Sequence, residues 1–104
     1  MFNLYPILRS VLFLFDPELI HKFTIRYFKL RNFFYKNLND DIRLRTSIAG
    51  LNLSNPIGVA AGLDKNGEAI HGIHKLGFGF IEVGSVTPIP QDGNPKPRLY
   101  RLKE

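Results

Sequence analysis

The chain has 104 residues, with 14 lysines and arginines against 9 aspartates and glutamates, and it contains no cysteine. The absence of cysteine excludes a disulfide framework, a thiolate metal site and a cysteine nucleophile. An apolar fraction of 44% with 22% charged residues is typical of a folded protein. The longest strongly apolar run, at residues 11–15, is far shorter than the roughly 20 residues that span a bilayer. No basic secretory leader is visible, so we expect an intracellular chain without a membrane span.

Composition changes sharply near Asp40 and Asp41. Residues 1–45 hold eight basic and four acidic residues together with most of the aromatics, whereas all 9 glycines lie between Gly50 and Gly93. Such a step predicts two regions with different structural roles. We place the boundary so that residues 1–41 form a helical segment and residues 42–104 form an α/β region.

Two helices are predicted in the first segment. Pro6 suits the first turn of a helix that runs to about Phe15. A second helix is predicted to start at Asp16-Pro17-Glu18, because an N-cap carboxylate, a first-turn proline and an acid near the positive end of the dipole favour a helix start. Its apolar residues recur every three or four positions and form a stripe: Leu19, Ile20, Phe23, Tyr27, Leu30 and Phe34. This second helix is predicted to end within residues 37–41.

The basic, amphipathic character of these helices favours an anionic membrane surface. Aromatic residues at helical spacing do not form a base-stacking platform, so nucleic acid is not expected as a partner. Packing of the stripe against the second half of the chain is the alternative.

The second half predicts a hairpin followed by a strand–helix–strand unit. The hairpin spans residues 46–53 around Ala49-Gly50, and a strand follows at residues 57–60. A helix is expected from Glu68 to Leu76, ended by Gly77, with four residues facing inward: Ala69, Ile70, Ile73 and Leu76. A second strand at 78–83 completes a right-handed βαβ unit with a parallel sheet. Residues 99–102 suggest one last short strand.

The loop after the first parallel strand, residues 60–67, is the first candidate site. Ligands bind at the carboxyl ends of parallel strands in α/β folds. The small residues Ala60, Ala61 and Gly62 leave the backbone open to a flat ring, and Lys65 offers a cation to an anionic group. A surface loop with a solvated Asp64–Lys65 pair is the alternative.

The second candidate is the segment 84–88, at the same end of the next strand. Gly84 removes side-chain bulk, while Ser85 and Thr87 supply hydroxyls for a ring heteroatom or a phosphate. A hydroxyl-capped strand end is the alternative for this segment alone. If the two strands are adjacent and parallel, the two loops converge.

Other sites are not favoured. The glycine spacing from Gly62 to Gly67 resembles a P-loop, but Glu68 stands where that motif requires lysine. His71 and His74 have no third ligand at a metal-site spacing, so no metal is expected.

Four stretches resemble the class 2, quinone-dependent dihydroorotate dehydrogenases. They are residues 14–18 (LFDPE), 55–68 (NPIGVAAGLDKNGE), 76–88 (LGFGFIEVGSVTP) and 91–102 (QDGNPKPRLYRL). The resemblance covers essentially the whole chain, including the N-terminal helices that distinguish class 2 from the soluble class 1 enzymes. It implies an α/β fold, namely the N-terminal portion of a TIM (β/α)8 barrel, with about two βα units and a bottom hairpin that follow an α-helical pair.

The resemblance also implies a chemistry. Dihydroorotate passes a hydride from C6 to N5 of FMN while a serine base removes the C5 proton, giving orotate for pyrimidine biosynthesis. A membrane quinone, which enters between the N-terminal helices, then reoxidises the flavin. The implied cofactor-binding residues are Ala61, Gly62, Leu63, Asp64, Lys65 and Ser85, and Lys65 also reaches the substrate. The implied location is peripheral, on the cytoplasmic face of a bacterial-type membrane.

The family's serine base, its Asn-x-x-Gly-Phe substrate loop and most of its barrel have no counterpart in these 104 residues. A complete (β/α)8 barrel needs about 250 residues. We therefore assign no catalytic residue to this chain and expect a truncated enzyme that is inactive alone. The alternatives are a non-catalytic membrane-peripheral remnant and a barrel piece completed by a separate chain.

Overall fold

The computed structural model describes residues 3–31 and 40–102. Contacts divide the chain into two compact units: unit 1 comprises residues 1–24 and 87–104, and unit 2 comprises residues 25–86. The division at residue 41 that the composition suggests stays a prediction. Each unit is described separately below.

Two helices lie in the first described range. Helix α1 spans Tyr5–Leu12 and helix α2 spans Pro17–Arg31. The Oδ1 atom of Asp16 accepts the Leu19 amide at 2.9 Å, which is the N-cap that the sequence predicts for α2. Phe34 and residues 37–39 of the predicted second helix lie outside the described residues. No helix of the described ranges combines the length and the apolar content that crossing a bilayer requires.

Helix α1 is shorter than predicted. It ends at Leu12, not near Phe15, because the amides of Leu14 and Phe15 donate to carbonyls three residues earlier, at 3.2 and 3.3 Å. This tightening of the last turn is usual at a helix end. Apolar side chains of both helices remain exposed, for example Leu8 at 54% and Phe23 at 63%.

The predicted hairpin is confirmed. Strand β1, Thr46–Ile48, pairs antiparallel with strand β2, Leu51–Leu53. The connecting residues Ala49 and Gly50 both have positive φ, at 51° and 80°. A two-residue loop of this kind matches the twist of the paired strands.

The strand–helix–strand order is also confirmed. Strand β3, Gly58–Val59, pairs parallel with strand β4, Phe80–Ile81, and helix α3, Ile70–His74, connects them. Gly77 follows α3 with a φ of 100°, as a helix-ending glycine should. All three elements are shorter than the sequence suggests.

Buried Asn55 links the start of β3 to the turn after α3. Its Nδ2 donates to the Gly77 carbonyl oxygen at 2.8 Å and to Asp40 at 2.6 Å, and its Oδ1 accepts the Ile57 amide at 2.9 Å. Hydrogen bonds from Ser54 and Asn55 lower the pKa of the Asp40 carboxyl. The N-terminal ends of β3 and β4 are therefore tied together, at the edge opposite the candidate loops.

The core of unit 2 lies under α3. Ile73 is fully buried, and Ala69 and Ile25 are 2% and 8% exposed. Gly72 lets α3 approach α2, because a Cβ there would overlap the Phe28 carbonyl oxygen. Ile70 and Leu76, which we expected to face inward, are 39% and 37% exposed, since the short α3 turns only one narrow face toward this core.

The expected strand at residues 99–102 is wrong. No strand is formed there, and the polar contacts of this stretch run through side chains. The Tyr100 hydroxyl donates to the Pro97 carbonyl oxygen at 2.6 Å, and the Arg101 guanidinium donates to carbonyls that follow α1. Pro95 and Pro97 also remove the amides that a strand at this point would need upstream.

Candidate functional site

The loops that follow β3 and β4 meet in unit 2. The Glu82 amide donates to the Val59 carbonyl oxygen at 2.9 Å, which continues the parallel pairing past β4. One step further, the Gly84 amide donates to the Lys65 carbonyl oxygen at 3.1 Å. The two candidate segments therefore converge at the carboxyl edge of the sheet, where α/β folds bind ligands.

The first loop offers unshielded main chain. Ala61 is half-buried and Gly62 is exposed. No heavy atom lies within 4 Å of the position that a Cβ on Gly62 would occupy. A flat ring could therefore approach this main chain without displacing a side chain.

The remaining predicted site residues differ in what they present. Lys65 and Ser85 are exposed, so an ammonium and a hydroxyl are available to a ligand. Leu63 is half-buried and packs against the core, which leaves its main chain as its available part. The structure thus places two exposed polar side chains on neighbouring loops.

The Asp64 side chain is turned inward. It is 2% exposed, and its two oxygens accept the amides of Glu68 and Ala69 at 2.9 and 2.7 Å. The alternative of a solvated Asp64–Lys65 pair is therefore wrong, because the carboxylate is held by main-chain donors that precede α3.

A second concave site lies within unit 1. It is an open pocket of about 790 Å³ between the end of α1, the start of α2 and residues 97–102. Two guanidinium groups lie over the Phe13 ring, with Arg9 at 4.9 Å and Arg101 at 4.5 Å from its centroid. The other lining residues are Asp16, Pro17, Pro97, Leu99, Tyr100 and Leu102.

Arg101 is fixed by carbonyl groups at and just after the end of α1. Its Nη1 donates to the oxygens of Phe13 and Phe15 at 3.1 and 2.7 Å, and its Nη2 donates to that of Leu12 at 3.2 Å. Cations are favoured at the C-terminus of a helix for this reason. The pocket therefore combines aromatic and proline walls with an anchored guanidinium, which suits a planar molecule that carries carbonyl oxygens.

Sequence reasoning missed this contribution of residues 97–102, because it interpreted them as a strand. Two arginines in a proline-rich stretch after a βαβ unit were the available signal, since Arg98 and Arg101, three positions apart, would place a costly charge on each face of a buried strand.

Glu18 anchors one side of unit 1. Its carboxylate accepts Arg98 at 3.0 Å and is paired with Lys22 and Lys96 at 3.3 and 3.5 Å, with 14% of the side chain exposed. The Arg98 hydrogen bond, assisted by the two lysines, outweighs partial desolvation and lowers the pKa of Glu18 from 4.5 to about 2. The carboxylate is therefore ionised throughout the physiological pH range.

Comparison with known proteins decides the family. A family model described as Dihydroorotate dehydrogenase matches residues 43–104. The chain belongs to the dihydroorotate dehydrogenase family. This confirms the resemblance inferred from the sequence motifs.

Individual relatives agree with this assignment. The chain is 52% identical over 101 residues to the dihydroorotate dehydrogenase (quinone) of Actinobacillus pleuropneumoniae serotype 3, covering 97% of this chain and 30% of that protein. It is 48% identical to the mitochondrial dihydroorotate dehydrogenase (quinone) of Mus musculus, covering 97% of this chain and 25% of the mouse protein. The chain thus spans less than a third of the length of the curated relatives it matches.

Solved structures agree as well. The chain is similar to DHODH from Eimeria tenella in complex with ferulenol, with a TM-score of 0.73 and 48% identity over 83% of this chain and 23% of that one. The ligand-free form from the same organism gives a TM-score of 0.69 at 47% identity, covering 83% of this chain and 24% of that one. These enzymes are TIM barrels, and the described residues are a small α/β part with a few strands.

Proposed function

We propose that this chain forms the N-terminal, flavin-contacting part of a quinone-dependent dihydroorotate dehydrogenase. The observation that carries the proposal is the hydrogen bond from the Gly84 amide to the Lys65 carbonyl oxygen, because it joins the two loops into one surface. The family and the similarity to quinone-type relatives support dihydroorotate oxidation as the reaction.

The residues of these loops fit FMN. The open main chain at Ala61 and Gly62 suits contact with a flat ring, and exposed Ser85 suits a hydrogen bond to a ring or phosphate oxygen. In this assignment Leu63 and Asp64 contribute through their main chain. FMN bound here supplies the ring that accepts a hydride.

Lys65 is proposed to contact both the cofactor and the substrate. Its exposed ammonium can donate to more than one acceptor, and a lysine suits the carboxylate of dihydroorotate. Its role is to bind and orient, since the proton-abstracting serine of the family has no counterpart in these 104 residues. Catalysis therefore requires the rest of a barrel, and we expect the 104 residues alone to be inactive.

The pocket of unit 1 is proposed to receive the quinone. Phe13 and the proline walls suit its apolar ring, and the Arg9 and Arg101 guanidiniums suit its carbonyl oxygens. The exposed apolar positions of α1 and α2 support peripheral attachment to a membrane surface, where quinones reside.

The test uses a joined enzyme, in which residues 1–104 replace the matching segment of the Actinobacillus pleuropneumoniae relative. We expect it to retain FMN and to reduce a soluble quinone with dihydroorotate. Lys65→Ala should lower kcat/KM for dihydroorotate roughly 10- to 100-fold, the loss that one charge-assisted hydrogen bond corresponds to.

The matched control is Lys29→Ala, which removes another exposed lysine, on α2. It should leave kcat/KM for dihydroorotate within about twofold of the unaltered value. A joined enzyme that folds but neither holds FMN nor oxidises dihydroorotate would contradict the proposed function.

A further inference from the structure

The main chain of Lys65 is fixed on its N-terminal side by Asp64. Each oxygen of the buried Asp64 carboxylate accepts one amide, from Glu68 and from Ala69, and the Gly67 amide donates to the Asp64 carbonyl oxygen at 3.3 Å. These bonds close the turn 64–69. Because Ala69 is itself 2% exposed and belongs to the core, the turn is anchored to the best-packed part of unit 2.

On the opposite side the main chain of Lys65 is fixed by Gly84. The Gly84 amide donates to the Lys65 carbonyl oxygen, and a Cβ on Gly84 would lie 2.6 Å from that oxygen and 3.0 Å from the Lys65 Cα. Real Cβ atoms do not approach so closely, so any other residue would push the two loops apart. Glycine is needed at this position for space.

We propose that Asp64 and Gly84 are positioning residues that together hold the main chain of Lys65, and that the Asp64 carboxylate does not contact the cofactor. This deepens the proposed function and rests on it, since it is Lys65 that binds in that proposal. The long side chain of Lys65 is exposed and mobile by nature, so the location of its Cα decides which acceptors the ammonium can reach.

Charge supports an indirect role for Asp64. A carboxylate that faced a phosphate or a carboxylate would repel it, and two ionised acceptors cannot hydrogen-bond to each other. Buried against two amides, the same carboxylate is compensated by the donors that precede α3. Because the side chain is only 2% exposed, a ligand could reach it only by displacing the groups packed around it.

The first experiment measures amide hydrogen exchange in the 104-residue chain, without any ligand. Asp64→Asn should speed exchange of at least one of the Glu68 and Ala69 amides roughly tenfold, because the asparagine side chain keeps one acceptor and turns a donor toward the other amide. If Asp64 holds the main chain of Lys65, the variant should also speed exchange of the Gly84 amide, because that amide donates to the Lys65 carbonyl oxygen. Asp92→Asn, at an exposed position, is the matched control and should change none of the three.

The exchange pattern can overturn the proposal. If the Glu68 or the Ala69 amide exchanges faster while the Gly84 amide is unchanged, Asp64 caps only its own turn and does not hold Lys65. A second measurement needs no variant: amide relaxation of Lys65 in the unaltered chain should give an order parameter near 0.85, the value typical of rigid backbone. A value below about 0.6 would show that neither neighbour fixes it.

The joined enzyme separates positioning from direct contact. If Asp64 acts through Lys65, then Asp64→Asn combined with Lys65→Ala should lower kcat/KM for dihydroorotate no further than Lys65→Ala alone. Losses that multiply would show an independent contact by Asp64 and overturn the proposal. A joined enzyme without FMN or activity would instead contradict the proposed function, and the ligand-free exchange and relaxation results would still decide the positioning.

Discussion

The two units are stabilised by different interactions. In unit 2, the buried apolar residues of the described ranges (Ile25, Ala69 and Ile73) form one small core, and glycines at 72 and 84 let main chain approach main chain. In unit 1, no residue of the described ranges is buried, and the contacts are guanidinium groups on carbonyl oxygens and cations around Glu18. The candidate loops therefore rest on a packed core, whereas the pocket of unit 1 is built from charged side chains that water still reaches.

The largest expected effect tests the packed unit. Ile73→Ala removes a fully buried side chain and should lower the free energy of unfolding by about 2–5 kcal/mol, measured by urea denaturation. Ile57→Ala is the matched control: it makes the same change at a side chain that is 61% exposed and should cost less than about 0.5 kcal/mol. Equal losses would mean that unit 2 has no localised core.

In unit 2, the order and pairing of the helices and strands could be predicted from the sequence better than the length of each element. Ala49-Gly50 and Gly77 require backbone conformations that few residues adopt, so the hairpin and the end of α3 could be recognised locally. The bounds of β3, β4 and α3 depend on neighbours that pair or pack with them. A two-stranded sheet gives each strand only one such neighbour, and the described strands are accordingly short.

The candidate site was predictable to a similar extent. The convergence of the loops at Lys65 and Gly84 followed from the parallel order of the strands. The inward turn of Asp64 did not, because a carboxylate beside a lysine gives no local sign of whether it faces water or main-chain amides. The pocket of unit 1 was missed in part, since Phe13 and Arg101 are 88 positions apart and meet only through tertiary contacts.

The exposed apolar surface of unit 1 can be tested directly. Phe23→Asp should lower co-sedimentation with zwitterionic vesicles at least about fivefold, because a carboxylate replaces a side chain that is 63% exposed on α2. Lys29→Gln lowers the net charge by the same one unit at an exposed position and should have little effect on uncharged vesicles. If both variants sediment like the unaltered chain, the apolar face is not the membrane contact.

The smallest effect concerns the charge cluster of unit 1. The folded-state pKa of Glu18, about 2, lies below its ordinary value of 4.5, so the stabilisation by this carboxylate is complete above about pH 4.5 and is lost as the pH falls toward 2. The carboxyl carbon of Glu18, followed by NMR, should titrate with a midpoint near 2.

Variants of its partners rank the contacts of Glu18. Arg98→Gln and Lys96→Gln each remove one positive charge, but of these two residues Arg98 is the one that donates a hydrogen bond to the carboxylate, at 3.0 Å. Arg98→Gln should therefore raise the Glu18 midpoint more than Lys96→Gln does. Equal shifts would show that the general field of the cations, rather than one directed hydrogen bond, holds unit 1 at this point, and added salt should then abolish both shifts.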